Sequence, residues 1–193
     1  MEQILALDRE WLISINSFHT SWLDPVMFWI TMTEVWTPLF IFLLFLILRN
    51  YGTKSWVVLV GVALTIFATD QITSSLMKPY FARLRPSQEP SLEGIIHLVN
   101  GYRGGMYGFA SSHAANTFGT AMFLWLLFRR QYRWVVLLFL WAGIMTYSRI
   151  YLGVHYPGDI LAGALVGLVA GTAGFKLTQF LDRKFGNKTS PPT

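Results

Sequence analysis

The sequence of 193 residues contains no cysteine, which excludes a disulfide scaffold, thiolate metal sites and a cysteine nucleophile. Charged residues are also scarce, because Asp, Glu, Lys and Arg make up only 13% of the chain, against about 25% in an ordinary soluble domain. There is no internal repeat and no linker rich in Pro, Gly or Ser. We therefore expect one domain over residues 1–185 and a flexible tail over residues 186–193.

Apolar sequence is abundant, at 53% hydrophobic residues. Five stretches lack Asp, Glu, Lys and Arg: residues 35–48, 55–69, 104–128, 134–148 and 160–175. Each is, or extends to, about the 20 residues with which a helix crosses a bilayer. The runs are too continuously apolar for barrel strands, and unpaired backbone groups are costly in hydrocarbon. They predict membrane-spanning helices near residues 33–49, 55–77, 113–130, 133–150 and 157–180.

The first 32 residues are apolar only in short stretches and contain Asp24 and Pro25. We interpret them as interfacial or partly inserted helices. A sixth span is the alternative, formed by residues 25–48 as one long helix or by residues 10–32. The predicted fold class is an all-α integral membrane protein, a bundle of five to six transmembrane helices.

The net charge of +5 does not indicate a nucleic-acid partner, because the basic residues lie between apolar runs and not along one polar stripe. With five spans, nine basic residues share one face: Arg49, Lys54, Arg129, Arg130, Arg133, Lys176, Arg183, Lys184 and Lys188. The other face has five: Lys78, Arg83, Arg85, Arg103 and Arg149. Since cytoplasmic loops are enriched in Lys and Arg, we expect the second face to be extracytoplasmic.

This predicted outer face gathers three segments that are distant in sequence: KPYFARLRP at residues 78–86, ASSHAAN at 110–116 and SRIYLGVHYPGD at 148–159. The cations Lys78, Arg85 and Arg149 would repel one another at a membrane boundary, so an anion is the missing partner. Guanidinium groups and helix N-termini both suit phosphate oxygens. The pattern therefore predicts a phosphate-binding site.

Two histidines make this site reactive. His155 precedes Asp159 by four residues, so on a helix the carboxylate would accept a hydrogen bond from Nδ1 and leave Nε2 free to attack phosphorus. His113, on another helix, is a candidate acid for the leaving oxygen. Ser111 and Ser112 begin that helix as caps, and their polar groups are also placed to contact phosphate.

These segments resemble the motifs of the type 2 phosphatidic acid phosphatase (PAP2) superfamily of integral membrane lipid phosphatases. The first motif is Lys, six residues and Arg-Pro, which residues 78–86 match. The second is Pro-Ser-Gly-His, and residues 110–113 have Ala-Ser-Ser-His in its place. The third is Ser-Arg, five residues, His, three residues and Asp, which residues 148–159 match without a gap.

The resemblance implies that His155 is a nucleophile that forms a phosphohistidine, that Asp159 is its partner and that His113 is the general acid. It also implies a set of residues that hold phosphate oxygens: Lys78, Arg85, Ser111, Ser112 through its amide, and Arg149. No metal and no other cofactor are implied, and water would complete the hydrolysis. The resemblance further implies a six-helix bundle.

We therefore expect a lipid phosphatase of a bacterial inner membrane, with a periplasmic active site and with a lipid phosphate and membrane lipids as its partners. Undecaprenyl diphosphate, a polyprenyl carrier, is the main predicted substrate. The alternatives are lipid A, and phosphatidylglycerol phosphate or phosphatidic acid. Phosphoryl transfer to another acceptor, non-catalytic binding of an anion or lipid, and the oligomeric state all stay open.

Two features inside the apolar helices complete the sequence-based expectations. Asp70 lies about two turns inside the second predicted span and matches no family motif, so it is either functional or an interhelical contact. Gly163, Gly167 and Gly171 recur every four residues in the fifth predicted span. This spacing predicts close helix packing and not a ligand site.

Overall fold

The computed structural model describes residues 2–185, and the predicted tail, residues 186–193, lies outside this range. Within it, eight α-helices follow one another: α1 Glu2–Asn16, α2 Leu23–Ile30, α3 Thr37–Tyr51, α4 Ser55–Asp70, α5 Lys78–Phe81, α6 Ser112–Phe128, α7 Leu137–Tyr151 and α8 Pro157–Phe185. Short helical turns and one isolated bridge, between Leu84 and Tyr107, occur in the connections. The predicted all-α class is confirmed.

Each predicted span corresponds to a helix of the bundle, namely α3, α4, α6, α7 and α8. By length and composition, three helical stretches within the described residues could cross a membrane: Thr33–Phe81, Arg133–Tyr151 and Pro157–Lys184. The first contains both α3 and α4, which meet at Gly52, where a φ of +50° suits glycine. A π-helical stretch, Gln71–Met77, then extends α4 into α5.

The outer surface of the bundle is apolar. Phe67 of α4 is 63% exposed, and Leu161 and Leu165 of α8 are 66% and 64% exposed. Many other large apolar side chains on these helices are exposed as well. Such continuous apolar faces are rare in soluble proteins but match hydrocarbon, so the helix surfaces support an integral membrane protein.

Helix α6 lies at the centre and packs against α4, α7 and α8. Its Phe123 and Phe128 are buried in a cluster that includes Leu138 of α7. Its contact with α8 is closer, because a Cβ atom added at Gly167 would meet the carbonyl oxygen of Ala115 in α6. The glycines of α8 therefore pack directly on the α6 backbone, which confirms the packing prediction.

The N-terminal segment forms two shorter helices instead of one further long helix. Asn16, at the end of α1, donates from Nδ2 to the carbonyl oxygen of Tyr151 at 2.8 Å. Asp8, two turns earlier, accepts from the amide of Gly158 at 2.7 Å. Tyr151 ends α7 and Gly158 begins α8, so α1 lies across this end of the bundle. The interfacial interpretation of the first 32 residues stays a prediction.

Candidate active site

The three motif segments meet at the end of the bundle that α1 covers. Lys78 begins α5 and Arg85 follows it in a loop, while Ser112 begins α6. His155 lies in the tight turn between α7 and α8, and Asp159 lies in the first turn of α8. The convergence predicted from the motifs is therefore present in the structure.

His155 is fully buried and held at both ring nitrogens. Its Nδ1 lies 3.2 Å from Oδ2 of Asp159, and its Nε2 lies 3.0 Å from an Nη of Arg85. A guanidinium has donors only, so Nε2 must be the acceptor and Nδ1 must carry the proton. The ring is therefore neutral, and its Nε2 lone pair points toward the cations of the site.

The surroundings of His155 favour this neutral form. Burial and the neighbouring cations, with Arg85 contributing most among them, lower the pKa of His155 well below its usual range. A protonated imidazole has no lone pair at Nε2 and is not a nucleophile. The site thus keeps the imidazole of His155 neutral, with a lone pair on Nε2, at neutral pH.

Arg85 is fixed by backbone acceptors as well as by His155. Its Nε donates to the carbonyl oxygen of Tyr107 at 3.1 Å, and an Nη donates to that of Val154 at 3.3 Å. The loop closes on it at Gly104, where an added Cβ atom would lie 3.0 Å from the guanidinium. An incoming phosphate would therefore find this cation already oriented.

Lys78 and Ser112 form a second polar group beside the first. Lys78 Nζ donates to the hydroxyl of Ser112 at 2.7 Å, and the hydroxyl of Thr73 also donates to Ser112, at 2.9 Å. Ser74 connects this group to Asp70, because its hydroxyl lies 2.9 Å from that of Ser112 and donates to Asp70 at 3.1 Å. Asp70 is thus joined to the phosphate-binding candidates through one serine.

Ser111 is fully buried and caps α6: its hydroxyl accepts from the amide of Ala114 at 3.4 Å. Its own amide donates to the carbonyl oxygen of Asp159 at 3.0 Å. The capping interpretation of Ser111 is therefore confirmed. The amides of Ser112 and His113 belong to the first helical turn, where backbone donors lack intrahelical partners.

Arg149 and His113 complete the predicted set. Arg149 is buried, donates to the hydroxyl of Thr31 at 2.8 Å and lies 5.5 Å from the ring centroid of Tyr102. Within residues 2–185 its buried Nε has no hydrogen-bond partner. His113 is half-buried at the start of α6, within electrostatic range of Arg149 and His155. All eight predicted residues therefore belong to one region.

Some contacts of this region were not predicted. Arg83 lies 3.0 Å from Oδ1 of Asp159, and Thr31 binds Arg149. Arg83 had one sequence signal: it precedes Arg85 by two residues, which in extended backbone places both side chains on the same side. Thr31 and Asp8 had no such signal, because they lie far from every motif.

A cleft of about 530 Å³ leads from the bundle surface to this region, between α3, α4, α6 and α7. Its walls are largely apolar: Phe40, Leu43, Leu44, Ile47, Leu59, Val62, Ile66, Leu124, Trp141 and Met145. Asp70, Ser112 and His113 also line it. The cleft thus has largely apolar walls and also contacts residues of the polar site.

Several known proteins are similar to this chain in sequence and fold. It is 37% identical to lipid A 4′-phosphatase of Bacteroides thetaiotaomicron over 195 residues, covering 100% of this chain and 86% of the relative. It is 37% identical to lipid A 4′-phosphatase of Porphyromonas gingivalis over 181 residues, covering 92% and 75%. Undecaprenyl-diphosphatase BcrC of Bacillus subtilis is 28% identical over 167 residues, covering 86% and 80%.

The crystal structure of Aquifex aeolicus LpxE has a TM-score of 0.68 to this protein at 26% identity, covering 88% of this chain and 95% of that one. The family model of the PAP2 superfamily matches residues 54–183. This range contains all three motifs. It also contains α4, α6, α7 and all of α8 except its last residues. The chain therefore belongs to the PAP2 superfamily and is a membrane phosphatase of that type.

Proposed function

We propose that the protein is a lipid A 4′-phosphatase that works through a phosphohistidine at His155. The observation that carries the chemistry is the neutral imidazole, with Nδ1 directed at Asp159 and Nε2 directed at Arg85. The observation that favours lipid A is the 37% identity, over the whole chain, to a phosphatase named for that substrate. The similarities thus support the alternative substrate better than the carrier diphosphate that the sequence analysis preferred.

The first chemical step is attack of His155 Nε2 on phosphorus. A P–N bond forms, the P–O bond to the sugar oxygen breaks, and His113 gives its proton to that oxygen. The imidazole keeps its Nδ1 proton and becomes positively charged, which Asp159 compensates. Arg85, Lys78 and Arg149 would hold the phosphoryl oxygens, together with Ser111 and the amide of Ser112.

The second step regenerates the enzyme. His113 takes a proton from a water molecule, the water oxygen attacks phosphorus, and the P–N bond to His155 breaks. Inorganic phosphate then leaves, and Arg85 returns to Nε2. Every group needed for these steps is a side chain or backbone amide of the chain, so the mechanism requires no metal.

The cleft beside the site favours an acylated glycolipid over a polyprenyl chain. Its lining includes polar side chains, among them Asp70, Asn116 and Thr120. Acyl chains attached to an aminosugar carry amide N–H groups close to the head group, whereas a polyprenyl chain carries no donor. A carboxylate in hydrocarbon is costly unless it accepts hydrogen bonds, so Asp70 would contribute to this selectivity.

Undecaprenyl diphosphate stays the second candidate because of the similarity to BcrC. We further propose that the protein lies in a bacterial inner membrane with this site on the periplasmic face. The excess of basic residues at the opposite end supports that orientation.

Phosphate release by the detergent-purified protein tests this proposal. The substrates are lipid A with only a 4′-phosphate, lipid A with only a 1-phosphate, undecaprenyl diphosphate, phosphatidylglycerol phosphate and phosphatidic acid, each with chelator present. We expect the 4′-monophosphoryl form to be preferred, and turnover to be lost in His155→Ala. Preference for undecaprenyl diphosphate would support the second candidate, and no release from any lipid would contradict both.

A further inference from the structure

The two carboxylate oxygens of Asp159 have different partners. Oδ2 accepts from Nδ1 of His155 at 3.2 Å and from the amide of Tyr156 at 3.1 Å. Oδ1 faces away from the imidazole and forms an ion pair with Arg83 at 3.0 Å. Asp159 is fully buried, so Arg83 is the cation that directly compensates this carboxylate.

Arg83 is itself held by the N-terminal helix. Its other Nη lies 2.7 Å from Oδ2 of Asp8 in α1, and its guanidinium lies 3.9 Å from the ring centroid of Tyr156. Oδ1 of Asp8 accepts from the amide of Gly158, in the first turn of α8, at 2.7 Å. Asp8 therefore binds both the arginine and the helix that carries Asp159.

We propose that Arg83 and Asp8 are positioning residues for the phosphatase reaction. Arg83 keeps Asp159 ionised and oriented toward His155, and Asp8 fixes Arg83 and the first turn of α8. The proposal rests on the proposed function in one respect, the assignment of His155 as nucleophile. Asp8 lies outside residues 54–183, the range that the family model matches, so the N-terminal helix would add a part of the active site to that core.

The packing around these groups leaves little freedom for another arrangement. An added Cβ atom at Gly158 would lie 2.7 Å from Asp8 Oδ2, and one at Gly108 would lie 2.8 Å from Asp159 Oδ2. Both carboxylates are thus enclosed by backbone. A planar guanidinium can bridge two carboxylates with separate N–H groups, whereas the ammonium of lysine is a compact point charge.

Arg83 differs from the phosphate-binding cations in its contacts. Its guanidinium contacts two carboxylates and an aromatic ring, whereas the Nε of Arg149 has no hydrogen-bond partner within the described residues. A residue that acts through Asp159 should change the chemical step and not substrate binding. Loss of Arg83 is therefore expected to lower kcat and to leave KM nearly unchanged.

Steady-state kinetics of Arg83→Met, Arg83→Lys, Asp8→Asn and the matched control Arg9→Met test the proposal. Arg9 is the neighbour of Asp8 on α1, but its guanidinium binds the carbonyl oxygen of Ser91 instead. We expect Arg83→Met to lower kcat by about 10–100-fold with KM within about twofold, Arg83→Lys to recover part of the loss, and Arg9→Met to remain within about twofold of the unchanged protein.

A double-mutant cycle separates positioning from general destabilisation. If Asp8 acts through Arg83, Asp8→Asn lowers kcat in the unchanged protein but has little further effect in Arg83→Met. Unchanged kcat in Arg83→Met, or a raised KM with normal kcat, would overturn the proposal. Failure of the proposed function looks different, because the unchanged protein and Arg9→Met would then release no phosphate either.

The protonation state of the His155 ring can be measured without turnover, and it tests the positioning role of Arg83 independently. In ¹⁵N spectra, the His155 ring of the unchanged protein and of Arg9→Met should show the neutral form with the proton on Nδ1. Arg83→Met should lose or weaken this signature while its thermal unfolding still shows a folded protein. The same His155 signature in folded Arg83→Met would contradict a positioning role.

Discussion

The imidazole of His155 is held in its neutral form by contacts on both sides of the ring. Arg85 donates to Nε2 and thereby selects the neutral ring, while Asp159 accepts from Nδ1. The same arginine is a predicted phosphate ligand, so substrate binding would draw Arg85 away from Nε2 and release the nucleophile. The proposed mechanism therefore couples binding and activation at a single side chain.

The lowered pKa of His155 has a consequence for pH dependence. An unfolded histidine gains a proton near pH 6.5, whereas the buried ring resists protonation. Stability is thus unaffected by this group above pH 6.5 and falls below it, by about 1.4 kcal/mol per pH unit until the folded pKa is reached. Because His155→Asn removes the group, denaturation of this variant between pH 6.5 and 5 should show a weaker pH dependence than that of the unchanged protein.

The ¹⁵N signals of the unchanged protein and of His155→Asn test whether burial and Arg85 keep the His155 ring neutral. We expect the His155 ring to stay neutral from pH 7.5 to 5.5, with the proton on Nδ1. The four histidines of the chain make assignment by comparison with His155→Asn straightforward. Protonation of His155 at or above pH 6.5 would contradict the explanation from burial and Arg85.

The contact between His155 and Asp159 was predictable because the chemistry of the pair sets its spacing. His155 and Asp159 are four residues apart, and this spacing brings a carboxylate to Nδ1 even though a turn precedes the helix. The contact between Asp8 and Arg83 was not predictable because it joins segments 75 residues apart, which no local pattern records.

At the level of helices, the α6–α8 contact depends on the absence of side chains. A Cβ atom at Gly167 would meet the Ala115 carbonyl oxygen and would lie 2.8 Å from the amide nitrogen of Gly119. Both neighbours are backbone of α6 and cannot rotate away. Since α6 carries His113 and α8 carries Asp159, this contact also sets the spacing of the site.

Gly167→Ala is expected to push α8 away from α6 and to lower both thermal stability and turnover. Gly143→Ala is the matched control, because Gly143 lies in α7 and an added Cβ atom there meets nothing within 4 Å. The control should gain about 0.5–1 kcal/mol, since alanine is the better helix former. Thermal unfolding in detergent measures both variants, and equal midpoints for the two would contradict the packing account.

The elements themselves were predictable to different degrees. Long charge-free runs revealed α3, α4, α6, α7 and α8, because hydrocarbon requires continuous apolar sequence. The arrangement of the first 32 residues was not predictable in detail. Helix α1 is held across the site by Asp8 and Asn16, which contact distant backbone, and such contacts leave no periodic signal.

For the whole molecule, the distribution of basic residues predicts an orientation in the membrane with the site on the extracytoplasmic side. Ser91 is exposed in the loop at the site end, and Thr53 is exposed in the turn at the opposite end. The chain has no cysteine, so single cysteines can be labelled without removing native ones. An impermeant thiol reagent should label Ser91→Cys in intact cells, and Thr53→Cys only after permeabilisation. The reverse pattern would place the site in the cytoplasm.

The cleft, the cation cluster and His155 are neighbours in the structure, since Ser112 and His113 line the cleft and belong to the region of His155. The motifs predicted the reaction class, whereas the preferred substrate of the sequence analysis, undecaprenyl diphosphate, is supported less well by the similarities than lipid A. The proposed function assigns selection of the head group and chains to surfaces that several helices share, such as the cleft that Asp70 and Thr120 line. The similarity to lipid A 4′-phosphatases is the observation on which the proposed preference for lipid A rests.

Covalent transfer of phosphate to His155 is the step on which this mechanism depends, and rapid-quench trapping measures it directly. Purified protein would be mixed with ³²P-labelled 4′-monophosphoryl lipid A in chelator and quenched in alkali within milliseconds. We expect acid-labile, alkali-stable label on the peptide that contains His155, formed before free phosphate appears, and no label in His155→Asn. Normal phosphate release with no protein-bound label, or label on another residue, would contradict the mechanism.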